Sequence, residues 1–307
     1  MPRISMSLTL PSTLALLCAI LLAAPQSAAL DADAIAKAAD TKATTQPDGV
    51  VRLGWVRTDV DVKVDGMNFI PQAGLGSWAA FKEAGRGAMV MGDTVVFQDE
   101  VDAAMDAAFA AGLEVTALHN HFFYDDPQVY FMHIGGYGDP VKLARGVKSM
   151  WDAVKAVRAA SPQPATRFPG DIPASGTINA KDIQRILVKA PKLNNGVLKA
   201  SFPREGKMNG VTIGGTMGLS SWAAFQGTDD LAAMDGDFIM TAEEVQPVLR
   251  AMRNHDIHVV ALHNHMVGDD PAFYFTHFWA TGSVTKLASS FKAVLDAQAN
   301  VHRIDPG

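Results

Sequence analysis

Cysteine is all but missing from this chain: Cys18 is the only one. It lies inside an apolar run near the start, and Leu17 stands before it, where a lipid-attachment signal needs a small residue. A chain cut after that run has no cysteine, which excludes disulfides, a thiol nucleophile and a cysteine-ligated metal. A basic tract is missing too. The formal net charge is −6, which argues against nucleic acid as a partner. Long apolar stretches are scarce. The run from Leu14 to Ala24 is shorter than the roughly 20 residues a bilayer span needs. Arg3 precedes it and Ser27-Ala28-Ala29 follows it. That is the pattern of a secretory signal peptide over residues 1–29, leaving no stable membrane span after cleavage and a periplasmic or secreted location.

What remains has the composition of a folded protein, 48% hydrophobic and 19% charged, with apolar material for a core in more than one domain. It is a duplication. Displaced by 144 positions, "LGSWAAF" at 75–81 falls on "LSSWAAF" at 219–225. Gly92-Asp93 falls on Gly236-Asp237, Glu100-Val101 on Glu244-Val245, "ALHNH" on "ALHNH", and His133 on His277. Upstream the displacement becomes 147, placing Arg57 on Arg204. The period is far longer than a solenoid unit, so the copies are whole domains. They are expected at residues 30–160 and 177–302, joined by the Pro/Gly-rich linker 161–176.

Within one copy, residues 31–39 read as helix, and 50–57, 62–70 and 75–81 as strands. Gly92-Asp93 reads as a turn between two short apolar runs. Val101, Met105, Ala108 and Phe109 mark one face of a helix over 99–111, which Gly112 stops. Strands over 114–121 and 128–135 and a helix over 140–158 complete the unit. The order predicts an α+β fold: two tandem homologous domains, each a largely antiparallel sheet covered by helices.

The chemistry is concentrated in "ALHNHFFYDDPQVYFMH", residues 117–133, and its twin "ALHNHMVGDDPAFYFTH", residues 261–277. On a strand, His119 and His121 point to one face. A hairpin turning at Asp125-Asp126 brings His133 opposite His119, on that same face. Three imidazoles then converge, as they do around a divalent metal, zinc first among them, that keeps a fourth position open. The same holds for His263, His265 and His277. Asp125, Asp126, Asp269 and Asp270 are the candidate proton carriers, although Asp and Pro also make turns. Glu100 and Glu244 read as helix caps, since Glu244 follows Thr241 at capping-box spacing. Trp78 and Trp222 read as core, Asp93 and Asp237 as turn residues, and His255, His258 and His302 as incidental.

The tandem "ALHNH…DDP…YFMH" pattern, with "LGSWAAF" upstream and an export signal ahead, resembles the LppY/LpqO family of bacterial exported proteins. That resemblance implies the tandem domain plan and export, and no reaction. The reading is an exported metal-binding protein with a three-histidine site in each repeat. Its enzymatic form is a zinc-dependent hydrolase or lyase on a small-molecule, envelope-derived ligand. The alternative is a non-catalytic periplasmic metal or small-ligand binding protein.

Overall fold

A computed structural model describes residues 29–303; the expected signal peptide, with Cys18 in it, lies outside them. The first repeat runs α1 Ala32–Ala39, β1 Ala43–Thr45, β2 Val51–Val56, β3 Lys63–Val64, β4 Met67–Asn68, β5 Gly76–Ala84, β6 Gly87–Phe97, α2 Val101–Ala110, β7 Glu114–Asn120, β8 Asp125–Asp126, β9 Val129–Gly138 and α3 Pro140–Ala160. The second runs α4 Ala180–Leu187, β10 Lys192–Asn194, β11 Val197–Pro203, β12 Gly206–Met208, β13 Val211–Ile213, β14 Ser220–Gly227, β15 Ala232–Met240, α5 Ala242–Asn254, β16 His258–His263, β17 Asp269–Asp270, β18 Tyr274–Gly282 and α6 Val284–Val301. The protein is thus α+β, two tandem repeats sharing a large antiparallel sheet with helices against it.

Twelve strands form that sheet, in the order β1-β2-β5-β6-β9-β7-β16-β18-β15-β14-β11-β10. The second half of the order mirrors the first. The repeats meet edge to edge at β7 and β16, where Leu118 pairs with Leu262. Both leucines point into the core, which holds Met105, Met132, Val147 and Trp151 of the first repeat and Phe238, Val248, Phe278 and Phe291 of the second. Since side chains alternate along a strand, the odd-numbered partners of Leu118 and Leu262, His119 and His263, share the opposite face.

That opposite face is open in part. Val95, Phe97, Val129 and Phe131 lie on it, but are buried beneath a small lobe with Val60, Val62 and Leu75. Burial of such side chains contributes about 1.5–3 kcal/mol each. The lobe carries its own three-stranded sheet, β4-β3-β8, repeated as β13-β12-β17. Residues 62–70 are therefore a tight hairpin rather than one strand. Asp65 (φ 50°) and Gly66 (φ 76°) make its two-residue turn, which requires positive φ at both positions.

Gly92-Asp93 does not turn. Both lie inside the eleven-residue strand β6. Glycine stands there for close packing: a Cβ at Gly92 would sit 2.9 Å from the Trp78 carbonyl, and one at Gly236 would sit 2.3 Å from the Phe278 ring. The turn signal and the packing signal are the same letter, and the tertiary contact decided which applied.

Candidate metal centre

The hairpin forms as expected, but in a different register. His133 pairs with Ala117, and His119 pairs with Phe131, after a bulge between Val115 and Ala117. His119 and His133 are therefore diagonal neighbours on one face instead of directly opposed. Their ring centroids still lie 5.1 Å apart, and His119 and His121 are also 5.1 Å apart. His121 leaves the end of β7 and stacks on Phe131 at 3.3 Å. Phe131 is thus the platform that turns the second histidine inward.

The second repeat reproduces this arrangement. Ala261 pairs with His277 and His263 with Phe275, and His265 stacks on Phe275 at 3.5 Å. The ring centroids of His263 and His265 are 5.0 Å apart, and those of His263 and His277 are 4.9 Å apart. Ligand-type nitrogens of His263, His265 and His277 all lie within 4.8 Å of one another, the only such group of three or more among the described residues. His263 Nε2 and His265 Nε2 are 3.1 Å apart.

Sequence reasoning missed the carboxylate. Asp93 pairs directly with His133 across β6 and β9, and Asp237 pairs with His277 across β15 and β18. Both are buried, 7% and 5% exposed. Asp237 Oδ2 lies 3.4 Å from His265 Nε2, and Asp93 Oδ2 lies 3.9 Å from His133 Nε2. In each aspartate Oδ1 has no hydrogen-bond partner among the described residues. A signal for them existed: they recur at the same 144-residue displacement as the histidines. The preceding glycine masked it.

Burial sets the charges. It pushes both aspartates up, against the pull of the neighbouring histidines. Burial, then repulsion from His277 and His265, holds His263 down at about 4. His121 and His265 are lowered as well, by burial first. Near neutral pH these imidazoles are uncharged, the form that ligates a cation.

The turn aspartates are placed otherwise. Asp125 Oδ2 accepts from Val129 N at 2.6 Å, and Asp269 Oδ2 accepts from Phe273 N at 2.7 Å. Asp126 and Asp270 lie opposite Lys63 and Lys207 in the small sheets. None of the four belongs to the group of converging ligand atoms.

Trp78 and Trp222 are not core. They lie half-buried on the open face, opposite Asp93 and Asp237. Arg52 lies 4.4 Å from the Trp78 ring centre and Lys199 lies 3.5 Å from that of Trp222. Glu244 does form the capping box with Thr241. Glu100 makes no such cap; it takes a bidentate bond from buried Arg57, at 2.8 and 2.9 Å. Nor are two of the remaining histidines without partners: His302 bonds Glu244 at 2.6 Å, and His258 contacts Asp102 and stacks on Phe168 at 3.7 Å.

A family profile described as Domain of Unknown Function (DUF1259) matches residues 33–153 and again residues 181–297. The chain belongs to this DUF1259 family. No curated protein matches. Solved structures that match include EtuB from Clostridium kluyveri, at 10% identity and TM-score 0.22, covering 85% of this chain and 91% of that one. The trimeric bacterial microcompartment shell protein PduB matches at 8% identity and TM-score 0.20, covering 86% and 93%. The double-ringed trimeric shell protein MSM0271 from the RMM microcompartment matches at 11% identity and TM-score 0.20, covering 81% and 94%.

Two expectations are corrected at this point. Two of the solved matches are named as microcompartment shell proteins, and none is named as a hydrolase, a lyase or an exported carrier. The exported enzyme or carrier, and the periplasmic or secreted location, are withdrawn for this DUF1259 chain. At these TM-scores the likeness carries no argument for shell assembly either. Among the described residues, no helix is long and apolar enough to cross a membrane.

Proposed function

We propose that the chain is a metal-binding protein that holds one divalent ion in each repeat, on His119, His121 and His133 and on His263, His265 and His277. One observation carries the reading. Ligands about 2.0–2.1 Å from a tetrahedral zinc stand about 3.3 Å from one another, and His263 Nε2 and His265 Nε2 stand 3.1 Å apart. Two rings seldom bring bare nitrogens so close without a proton or a cation between them. The lowered basicity of His121, His263 and His265 keeps these rings in the neutral form that a metal ion requires. Zinc is the ion these residues fit and the one to test. Within the DUF1259 family, the tandem hairpin motif is the ground for placing the chain beside the LppY/LpqO proteins.

Calorimetric titration of the purified, metal-stripped protein with zinc tests this. Two ions per chain are expected, falling to one in H263A/H265A and to one in H119A/H121A. Two ions retained in both double variants would remove the proposal.

A further inference from the structure

We infer that Asp237, and by the same pairing Asp93, is the fourth protein ligand of its repeat's metal ion. The inference rests on the three-histidine reading and extends it from three donors to four. Its ground is one further tetrahedral edge, to His265; Asp237 stands outside the group of three whose donor atoms all lie within 4.8 Å of one another, so its carboxylate has to close on His263 and His277 when the ion binds. Asp237 Oδ2 stands 3.4 Å from His265 Nε2, close to the roughly 3.3 Å expected between two donors on one zinc. His265 therefore has a nitrogen at 3.1 Å on one side and a carboxylate oxygen at 3.4 Å on the other.

The backbone fixes this placement. Asp237 and His277 are directly paired on adjacent strands, so their side chains leave the sheet together on the face that carries His263. Trp222 is paired with Asp237 on the other flanking strand and takes the next position on the same row. Burying a carboxylate with an oxygen unpartnered is costly. The same cost is met twice, at Asp93 and at Asp237. A cation on Oδ2 offsets the buried negative charge in both places. In the first repeat the carboxylate approaches a different histidine of the three, with Asp93 Oδ2 3.9 Å from His133 Nε2.

Four protein donors make a filled shell, which is the pattern of a holding site rather than one that keeps a position open for substrate. The donor set of three neutral imidazoles and one carboxylate also sets the charge. A divalent ion in it leaves a local charge of about +1, so the metal and its shell are less attractive to anions than a bare three-histidine site.

The test uses full-length protein with zinc and with cobalt(II). Competition against a chromogenic chelator is expected to show zinc bound at least about tenfold more weakly in D237N than in wild type. The visible spectrum of the cobalt(II) form is expected to change at the same time. Affinity within about twofold of wild type overturns the assignment. So does weaker binding with an unchanged cobalt spectrum, which makes Asp237 a positioning partner of His265 only. If D237N does not fold, zinc-loaded wild-type crystals decide: an Oδ2–zinc distance of about 2.0–2.2 Å supports the assignment and one beyond about 3 Å ends it. Failure of the histidine reading looks different, since H263A/H265A would then keep its second ion.

Discussion

His121 and Phe131 show how single residues build this site. A histidine one step past the end of a strand has no ladder to hold it, and the flat face of Phe131 at 3.3 Å supplies the hold. Phe275 does the same for His265. Away from the site, Glu244 is the clearest residue-scale anchor. Burial would push it up, but bonds from Arg204, His302 and the Thr241 amide outweigh that and leave it lowered. A carboxyl lowered on folding adds stability above its unfolded value of about 4.5, and that stability is lost as pH falls through the folded value. Denaturant unfolding is therefore expected to show E244Q less stable than wild type at pH 7. The gap should narrow as pH falls from about 5 towards 3. A gap that is constant or that widens in acid would contradict this. The histidines, spaced two apart and repeated, could be read from sequence as a group, although His121 and His265 lie past the ends of their strands and owe their place to a stacked phenylalanine. Asp93 and Trp78 could not. Their position depends on which strand lies beside which, and the local letters suggested a turn and a core.

At the scale of elements, the hairpin register is the deciding feature. The helices were legible from their 3.6-residue pattern and most long strands from their apolar residues, but β6 was read as two runs around a turn and the β3–β4 hairpin as one strand. The pairing was not legible. A bulge between Val115 and Ala117 shifts the register, and bulges leave no reliable mark in sequence. The turn that follows is held by Asp125, whose carboxylate takes the Val129 amide, while β8 adds to the small sheet of the lobe. Asp125→Ala is expected to cost about 1–3 kcal/mol in urea unfolding and to leave two zinc ions bound. Loss of the first repeat's ion with unchanged stability would instead place Asp125 at the metal. The two-residue strands of the lobe escaped sequence reading because nothing in a hairpin of that length establishes a period.

For the whole molecule, the duplication reads directly from sequence, but the joining of the copies does not. One pair, Leu118 with Leu262, turns two six-stranded halves into a single sheet. Gln246 bonds both N and O of Val115, at 3.1 and 2.8 Å, and Arg250 reaches the carbonyls of Phe109 and Leu113. The two histidine groups consequently share one face, related by an approximate twofold axis. Strand spacings of about 4.8 Å put their centres about 12 Å apart. With copper(II) in both sites, electron paramagnetic resonance is expected to show dipolar broadening that disappears in H119A/H121A, which keeps one site. Spectra of wild type and variant that superimpose would mean the ions are far apart or that one site is empty.

The most direct measurement is anomalous diffraction at the zinc edge from crystals of the zinc-loaded protein. The expected map has two strong peaks on the face opposite the helices. One lies about 2.0–2.1 Å from nitrogens of His263, His265 and His277, and the other lies among His119, His121 and His133. A map without peaks at these histidines, or with zinc bound only elsewhere on the surface, would contradict the account.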